Sequence, residues 1–419
     1  MNVLLHSTAA TAGILKNLGV DNLYDWQKEV LHEIYRGSDI FLQQATGGGK
    51  SLVYQLPAAA EVGRALTIVI SPLKALQADQ VAKLKKSGIR AVALNGDLSD
   101  AERRRVLTDL PDTALLYLAP EQLWADDLRG ALCRCHIERV VLDEAHILPQ
   151  VELSFRKAYA AIGEFLSSLP VRPQIVACSA TTTRRERKWI IQSLGMIEPV
   201  FFIYPMRRDN VHIEVKKIEC PPKERGTDLE SVMFHCVERE LRRWNGEGAV
   251  IIYCPTVRRV KKLCKWLNGR DWATIRYTGK MSTKKRMQGQ TAFLSGTAQI
   301  VVATNAFGLG IDKSDVRLVI HAGLPLTLSG YVQEIGRVGR DGKRGRCVLF
   351  YTGGDIKQNE RILKKAGNEK AQKRGLRGLY ALQKVLKSNK CIWHEVERYY
   401  GQKKGKRCGH CSHCLAKQT

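Results

Sequence analysis

The sequence has no long hydrophobic run. Charged residues interrupt every apolar stretch of its 419 residues, so none reaches the roughly 20 residues that a helix needs to cross a bilayer. The first ten residues, MNVLLHSTAA, hold no basic start and no clear cleavage site. That excludes a secretion signal and points to the cytosol, or to the nucleus in a eukaryote. The cysteines offer no disulfide framework. Eight of the twelve (Cys133, Cys135, Cys178, Cys220, Cys236, Cys254, Cys264, Cys347) are scattered, mostly in apolar contexts. They read as small core residues of a protein kept reduced. Acidic residues are scarce in one half only. Residues 1–205 carry 23 Lys+Arg and 22 Asp+Glu, whereas residues 206–419 carry 44 and 19, so nearly all of the net charge of +26 lies in the second half. A merely solvated surface does not need that asymmetry, and a polyanion partner explains it through counterion release. Nucleic acid is the favoured partner. An anionic membrane fits less well, because the lysines are spread over a folded pattern rather than one amphipathic helix.

What is present is globular. The chain is 44% hydrophobic and too long for one core, so two or three domains are expected. Its most informative stretch is Gln43-Gln44-Ala45-Thr46-Gly47-Gly48-Gly49-Lys50-Ser51, between the apolar run Asp39–Leu42 and a helix opening at Leu52. Strand, glycine-rich turn, Gly-Lys-Ser and helix make a phosphate-binding loop. Glycines let backbone N–H groups turn toward phosphate oxygens where a Cβ would clash, and the helix N-terminus adds positive potential. Lys50 reaches the β- and γ-phosphates and Ser51 holds Mg²⁺, with Thr46, Gly47, Gly48 and Gly49 lining the cradle. The usual first glycine of this motif is Gln44 here. About one helix upstream stands Gln27, whose amide can pair both edges of an adenine.

After the loop, strands alternate with helices. Strands are expected at 65–70, 91–94, 114–118, 140–142 and 174–177, a pattern that implies an α/β parallel sheet covered on both faces. Its ligand belongs at the carboxyl ends of the strands. There stands Asp143-Glu144-Ala145-His146, following Val140-Val141-Leu142. An acid at the end of a buried strand is costly unless it binds something. Asp143 suits Mg²⁺, Glu144 suits polarisation of an attacking water, and His146 suits sensing of the γ-phosphate state. Tyr204–Val211 reads as a linker into the second half, where strands are expected at 250–254 and 299–304 and a helix at 257–267 carries a basic face of Arg258, Arg259, Lys261, Lys262 and Lys265, part of it suited to phosphate contact. At the far end, Cys408-Gly409-His410-Cys411-Ser412-His413-Cys414 follows an upstream Cys391. Cys-x₂-Cys-x₂-Cys with a fourth cysteine is a zinc signature, with His410 and His413 as alternative ligands. Before it, 369–390 reads as a basic helix with Leu376, Leu379, Leu382 and Leu386 on one side.

The phosphate loop, Ser71-Pro72-Leu73-Lys74-Ala75-Leu76, Tyr117-Leu118-Ala119-Pro120-Glu121, Asp143 to His146 and Ser179-Ala180-Thr181 resemble the ordered motifs of a superfamily 2 helicase. Gly47–Ser51 with Tyr54-Gln55-Leu56-Pro57-Ala58 is similar specifically to the RecQ branch, and the resemblance covers nearly the whole chain. It implies two RecA-like parallel-sheet lobes, 1–205 and 206–354, then a helical hairpin and a four-cysteine zinc-binding module over 355–419. It implies ATP, Mg²⁺ and Zn²⁺ as cofactors, DNA as partner, and ATP-dependent 3′→5′ strand separation. Gln27 then falls on the family's nucleotide-binding glutamine, and the four cysteines on its zinc ligands. Ser179 and Thr181 fall among the residues that couple ATP to DNA. Asn305-Ala306-Phe307-Gly308-Leu309-Gly310-Ile311-Asp312 after Thr304 resembles motif V, with Thr304 donating to phosphate and Asp312 contacting ribose or tying the lobes together. Gln333-Glu334-Ile335-Gly336-Arg337-Val338-Gly339-Arg340 resembles motif VI, with Arg340 as the finger on the γ-phosphate and Arg337 beside it.

Three departures stand out. Tyr24 replaces an arginine of the adenine motif. Within the aromatic-rich loop after His146, the family's tryptophan, glycine, histidine and aspartate are replaced by Val151, Glu152, Leu153 and Ser154, while Gln150, Phe155 and Arg156 remain as the DNA-coupling residues. The sequence after the knuckle leaves no room for a winged-helix or further helical nucleic-acid-binding domain, with weaker unwinding as the expectation. The alternatives are therefore a DNA-stimulated translocase or remodeller, and a DNA-binding or annealing protein with residual ATPase.

Overall fold

The computed structural model describes residues 8–45, 47–71, 74–147, 162–219, 228–308, 311, 313–365, 368–402 and 406–417. The chain divides into two compact units, Met1–Pro205 and Met206–Thr419. Among the described residues no helix is long and apolar enough to cross a membrane.

In the first unit, β1 (Ile40–Gln43), β2 (Leu66–Ile70), β3 (Ala91–Leu94), β4 (Leu115–Leu118), β5 (Ile137–Leu142), β6 (Gln174–Ser179) and β7 (Val200–Ile203) form one sheet in the order β3-β4-β2-β5-β6-β1-β7. Every pairing is parallel. Strands β1, β2, β4 and β6 are buried along their whole length, as a sheet covered on both faces requires. Alternate residues enter two cores: Phe41, Ile68, Leu116 and Leu118 on one face, Leu42, Val69, Leu115 and Tyr117 on the other. The order sets β5, β6 and β1 side by side, so residues following Leu142, Ser179 and Gln43 emerge together. The helix Thr8–Asn17 stops at Gly19, whose φ of 68° frees Val20 to donate to Leu15 O at 2.9 Å, a left-handed C-terminal cap.

One deeply buried charge in this unit depends on its counter-ion. Arg139 of β5 is 1% exposed. Its guanidinium meets Glu61 at 2.5 and 3.2 Å and Gln174 at 3.1 Å. Glu61→Ala removes the counter-ion and leaves the cation buried, an expected loss of about 3–5 kcal/mol. Urea denaturation checks this, and an unchanged midpoint would exclude it.

In the second unit, β8 (Val211–Lys217), β9 (Ala249–Tyr253), β10 (Thr274–Tyr277), β11 (Ile300–Ala303), β12 (Val316–Ala322) and β13 (Gly345–Tyr351) form a sheet in the order β10-β11-β9-β12-β13-β8, again parallel. Sequence reasoning anticipates only β9 and β11. The others carry charges that break an apolar run: Glu214 and Lys216 in β8, Arg276 in β10, Arg317 in β12, Arg346 in β13. Several of these are paired. Arg346 meets Glu214 at 2.7 Å and Glu240 at 2.9 Å, and His212, Lys216 and Arg346 hold the Glu214 carboxyl far below the usual range. The segment read as a linker, 204–211, ends inside β8. On the helix Val257–Asn268, Arg259 is committed inward, to Ala322 O at 3.1 Å and Asp355 at 3.3 Å, so it is not a free phosphate contact.

Helices Gly353–Lys364, Glu369–Lys387, Ile392–Tyr399 and Ser412–Leu415 close the chain. The leucine face is as expected, with Leu379, Leu382 and Leu386 buried. These residues, Trp393 and the four clustered cysteines lie in the same core as Val211, Ile251, Val319 and Leu349 of the sheet. The helical tail is thus continuous with the second unit. Two glycines permit the close packing: a Cβ at Gly375 would meet Leu363 Cδ2 at 2.7 Å, and one at Gly378 would meet Thr327 Cβ at 2.9 Å.

Candidate functional site

At the carboxyl end of β1 the chain turns through Gly47 (φ 78°) and Gly49 (φ 83°), left-handed positions that exclude side chains. Gln44, standing where a glycine is usual, accounts for a further glycine. Its side chain lies over the loop, where a Cβ at Gly48 would meet Gln44 Cγ at 2.8 Å and Ala45 O at 3.0 Å. Gln44 Oε1 accepts from the N–H of Ala45 at 2.8 Å. The Lys50 ammonium is 8% exposed and bonds the loop's own carbonyls, Gln44 O at 3.0 Å and Ala45 O at 3.3 Å. Gln27 is 2% exposed. Its Oε1 accepts from Tyr24 N–H at 2.9 Å and its Nε2 donates to Gly49 O at 3.1 Å. In this structure the amide therefore braces the phosphate loop, and pairing with adenine requires exchange of those two bonds. Thr46 lies outside the described residues.

The neighbouring strands deliver the carboxylates. Asp143 follows β5 and is 8% exposed, its Oδ1 accepting from Glu144 N–H at 3.0 Å. Burial, and then Glu144 beside it, push the Asp143 carboxyl up to about 7, against the pull of Lys50. A buried carboxylate so placed is suited to a divalent cation, whose charge reverses that shift. Glu144 has φ 53°, a rare backbone for a residue with a side chain. Its Oε2 lies 3.2 Å from His146 Nδ1. His146 is 1% exposed, burial lowers its basicity, and its Nδ1 also lies 3.4 Å from Ser179 Oγ. Ser179 Oγ accepts from Thr181 N–H at 3.2 Å, and Gln44 N–H donates to Ser179 O at 3.1 Å. One continuous polar chain thus links the phosphate loop, Glu144, His146 and the Ser179–Thr181 turn. Sequence reasoning missed Gln43, which accepts from Thr182 Oγ1 at 2.6 Å and Arg187 at 3.0 Å. No local motif marks it, since its partners stand about 140 residues away. Phe155 and Arg156 lie outside the described residues.

In the second unit the two arginines share one acceptor. Arg337 Nη1 donates to Ile311 O at 3.2 Å and Arg340 Nη1 to the same oxygen at 3.1 Å. Arg337 is 6% exposed and, among the described residues, its buried Nε has no hydrogen-bond partner, which suits it to an anionic ligand. A Cβ at Gly308 would meet Arg337 Nη2 at 3.0 Å. Thr304, 7% exposed, directly follows β11. Asp312 lies outside the described residues. Supports that the sequence did not reveal hold this loop. Arg208 donates to Gly336 O at 3.2 Å and also to Gly339 O. Asn210 donates to Gly339 O and Lys343 O, both at 2.8 Å, and Arg317 pairs with Asp341. Tyr253 OH donates to Phe307 O at 2.7 Å, and His321 Nε2 lies 2.9 Å from Glu334 Oε2.

Cys391, Cys408, Cys411 and Cys414 gather with all four Sγ atoms within 4.8 Å of one another. Zn–S bonds of about 2.3 Å at tetrahedral angles place sulfurs about 3.8 Å apart, and Cys408 Sγ lies 3.8 Å from Cys414 Sγ. Backbone N–H groups of Cys408, Cys411 and Ile392 donate to Cys391, Cys408 and Cys411 Sγ at 3.3, 3.3 and 3.5 Å, the arrangement thiolates need. The histidines are turned to other partners: His410 Nδ1 to Cys408 O at 2.7 Å, His413 Nδ1 to Lys390 O at 3.0 Å. With four protein ligands, the centre is structural.

Three family models match the chain: a DEAD/DEAH box helicase model residues 24–189, a helicase conserved C-terminal domain residues 233–342, and a RecQ zinc-binding model residues 353–415. Among solved structures, the Mycobacterium smegmatis helicase Lhr bound to ssDNA and AMP-PNP has a TM-score of 0.70 at 20% identity, covering 96% of this chain and 56% of that one. That likeness concerns the fold. The Bacillus subtilis ATP-dependent DNA helicase RecQ is 33% identical over 88% of this chain and 60% of its own length. The Pasteurella multocida protein of the same name is 34% identical over 95% of this chain and 61% of its own length. The chain thus spans about three fifths of the length of these bacterial relatives. It covers 68% of the ATP-dependent DNA helicase RecQ of Synechocystis, at 34% identity over 342 residues. With the phosphate loop, the paired acids, the arginine loop and the thiolate cluster each in its own place, this chain belongs to the RecQ family of helicases.

Proposed function

We propose that the protein is an ATP-dependent DNA helicase that moves 3′→5′ along single-stranded DNA and separates duplex ahead of it. The observation that carries this reading is the adjacency of β5, β6 and β1, which gathers Lys50, Asp143, Glu144, His146 and Ser179 at one end of a sheet in a RecQ-family chain. Lys50 and the N–H groups of Gly47–Gly49 hold the β- and γ-phosphates. Ser51 and Asp143 hold Mg²⁺, which screens phosphate charge. Glu144 orients and deprotonates the attacking water, and Arg340, with Arg337 beside it, neutralises the charge that develops on the γ-phosphate. His146, touching both Glu144 and Ser179, passes the state of the phosphate toward the DNA-contacting residues, among them Thr181 and Thr304. DNA, single-stranded or tailed, is the partner, gripped mainly through its phosphates.

The test is unwinding of a 3′-tailed and a 5′-tailed duplex, each with ATPase measured on single-stranded DNA. Unwinding of the 3′-tailed substrate alone is the expected result. DNA-stimulated ATPase without strand separation would favour the translocase reading, for which the replaced residues Val151–Ser154 are the specific motive. Absence of ATPase would overturn the proposal.

A further inference from the structure

The positive charge of the second unit is not evenly spread. Residues 353–390 hold eleven Lys and Arg against three Asp and Glu. Two of those acids are committed within the fold: Asp355 is buried against Arg259 and the Thr352 N–H, and Glu360 accepts from Tyr380 OH at 3.0 Å. On the helix Glu369–Lys387, the residues Lys370, Lys373, Arg377, Lys384 and Lys387 are all exposed. At 100° and 1.5 Å per residue they fall within an arc of about 100° and extend over about 25 Å. Arg361 and Lys364 are also exposed, on the preceding helix. Among the described residues, one acidic partner serves this stripe, Glu369 to Lys373, and that pair is exposed on both sides. By contrast Lys216, Arg243 and Arg346 of the same unit are compensated by the buried Glu240.

We infer that this stripe is a contact surface for the phosphate backbone of duplex DNA, distinct from the track that grips the single strand. The inference rests on the proposed DNA-directed function and adds to it the place where the unopened duplex is held. Its length matches the rise of about seven base pairs at 3.4 Å each. Single-strand grooves combine cations with aromatic platforms for the bases. Here the arc holds a single aromatic, Tyr380, whose hydroxyl donates to Glu360, so the surface offers five cations and one ring. A regular row of cations on a rigid helix suits a partner whose phosphates are exposed and whose bases are not.

The test uses the 419-residue chain and the triple variant Arg377→Gln, Lys384→Gln, Lys387→Gln. Anisotropy is read on a blunt duplex of about 20 base pairs and on a single strand of the same length, from about 50 to 200 mM salt. The expected result on duplex is a Kd raised at least about tenfold at the lowest salt. The slope of log K against log salt is expected to fall by about 2–3, since each lost phosphate contact removes about 0.9. Single-strand affinity and ATPase stimulated by single strands stay at parent level, which also reports an intact fold. An unchanged duplex affinity and slope would overturn the inference, as would an equal loss on the single strand. Failure of the helicase reading appears separately, as a parent protein without DNA-stimulated ATPase, and leaves the duplex measurement readable.

Discussion

Arg340→Ala is expected to lower the rate of ATP hydrolysis by about 10³–10⁵, with nucleotide affinity changed only a few-fold. The reasoning is electrostatic. Charge on the γ-phosphate grows toward the transition state, and a guanidinium held ready for it acts there far more than on bound substrate. The fold holds both arginine side chains in place. Arg340 and Arg337 are tied to one carbonyl, Ile311 O, at 3.1 and 3.2 Å. The turn behind them is pinned by Asn210, at 2.8 Å from both Gly339 O and Lys343 O. Gly339 itself, at φ 56°, has no space for a side chain, because a Cβ would meet Lys343 O at 2.4 Å. Arg340→Lys keeps the charge and loses the planar fork, so partial recovery is expected. Single-turnover hydrolysis and fluorescent-nucleotide binding separate the two effects. A variant within tenfold of the parent rate would remove Arg340 from the mechanism.

The second large effect concerns the thiolate cluster. Cys411→Ser is expected to abolish stoichiometric zinc and to lower the unfolding temperature of the second unit by about 10 °C. Four-thiolate zinc is worth about 10–16 kcal/mol in isolated peptides. Even a third of that, at about 2–4 °C per kcal/mol for a domain of this size, gives the stated shift. The effect reaches the whole unit because Cys391, Cys408, Cys411 and Cys414 lie in one core with Val319 and Leu349 of the sheet. A chelator added to the parent protein is expected to reproduce the shift, and readdition of Zn²⁺ to reverse it. Zinc content and a thermal scan suffice; full zinc in the variant would point to His410 or His413 as a replacement ligand.

The parts legible in the sequence are those whose chemistry is written in neighbouring residues. Gly47–Ser51, Asp143-Glu144 and the Cys-x₂-Cys-x₂-Cys run each carry their meaning in spacing, and the strands that carry the first two hold apolar runs, Ile40-Phe41-Leu42 and Val140-Val141-Leu142, just before the site. Strands β8, β10, β12 and β13 are not legible, because they carry charges, some of them compensated by residues far away, as Arg346 is by Glu214 and Glu240. The supports of the site escape for the same reason. Arg208 and Asn210 stand in an apparent linker, yet bond carbonyls about 130 residues on. Gln27 is recognisable as a type, but its bond to Gly49 O is not. Gln44 looks like a flaw in the phosphate loop, whereas its side chain, with Ala45 O, is what crowds a Cβ out of Gly48.

The contact between Gly378 and Thr327 has a mechanical consequence. Thr327 caps the helix Leu328–Ile335, accepting from Gly330 N–H at 3.1 Å, and that helix runs directly into Arg337 and Arg340. With less than the thickness of a methyl group between Gly378 and Thr327, the joint has no backlash. A side chain added at Gly378 would act as a shim, driving the long cationic helix away from the helix that leads into the arginines.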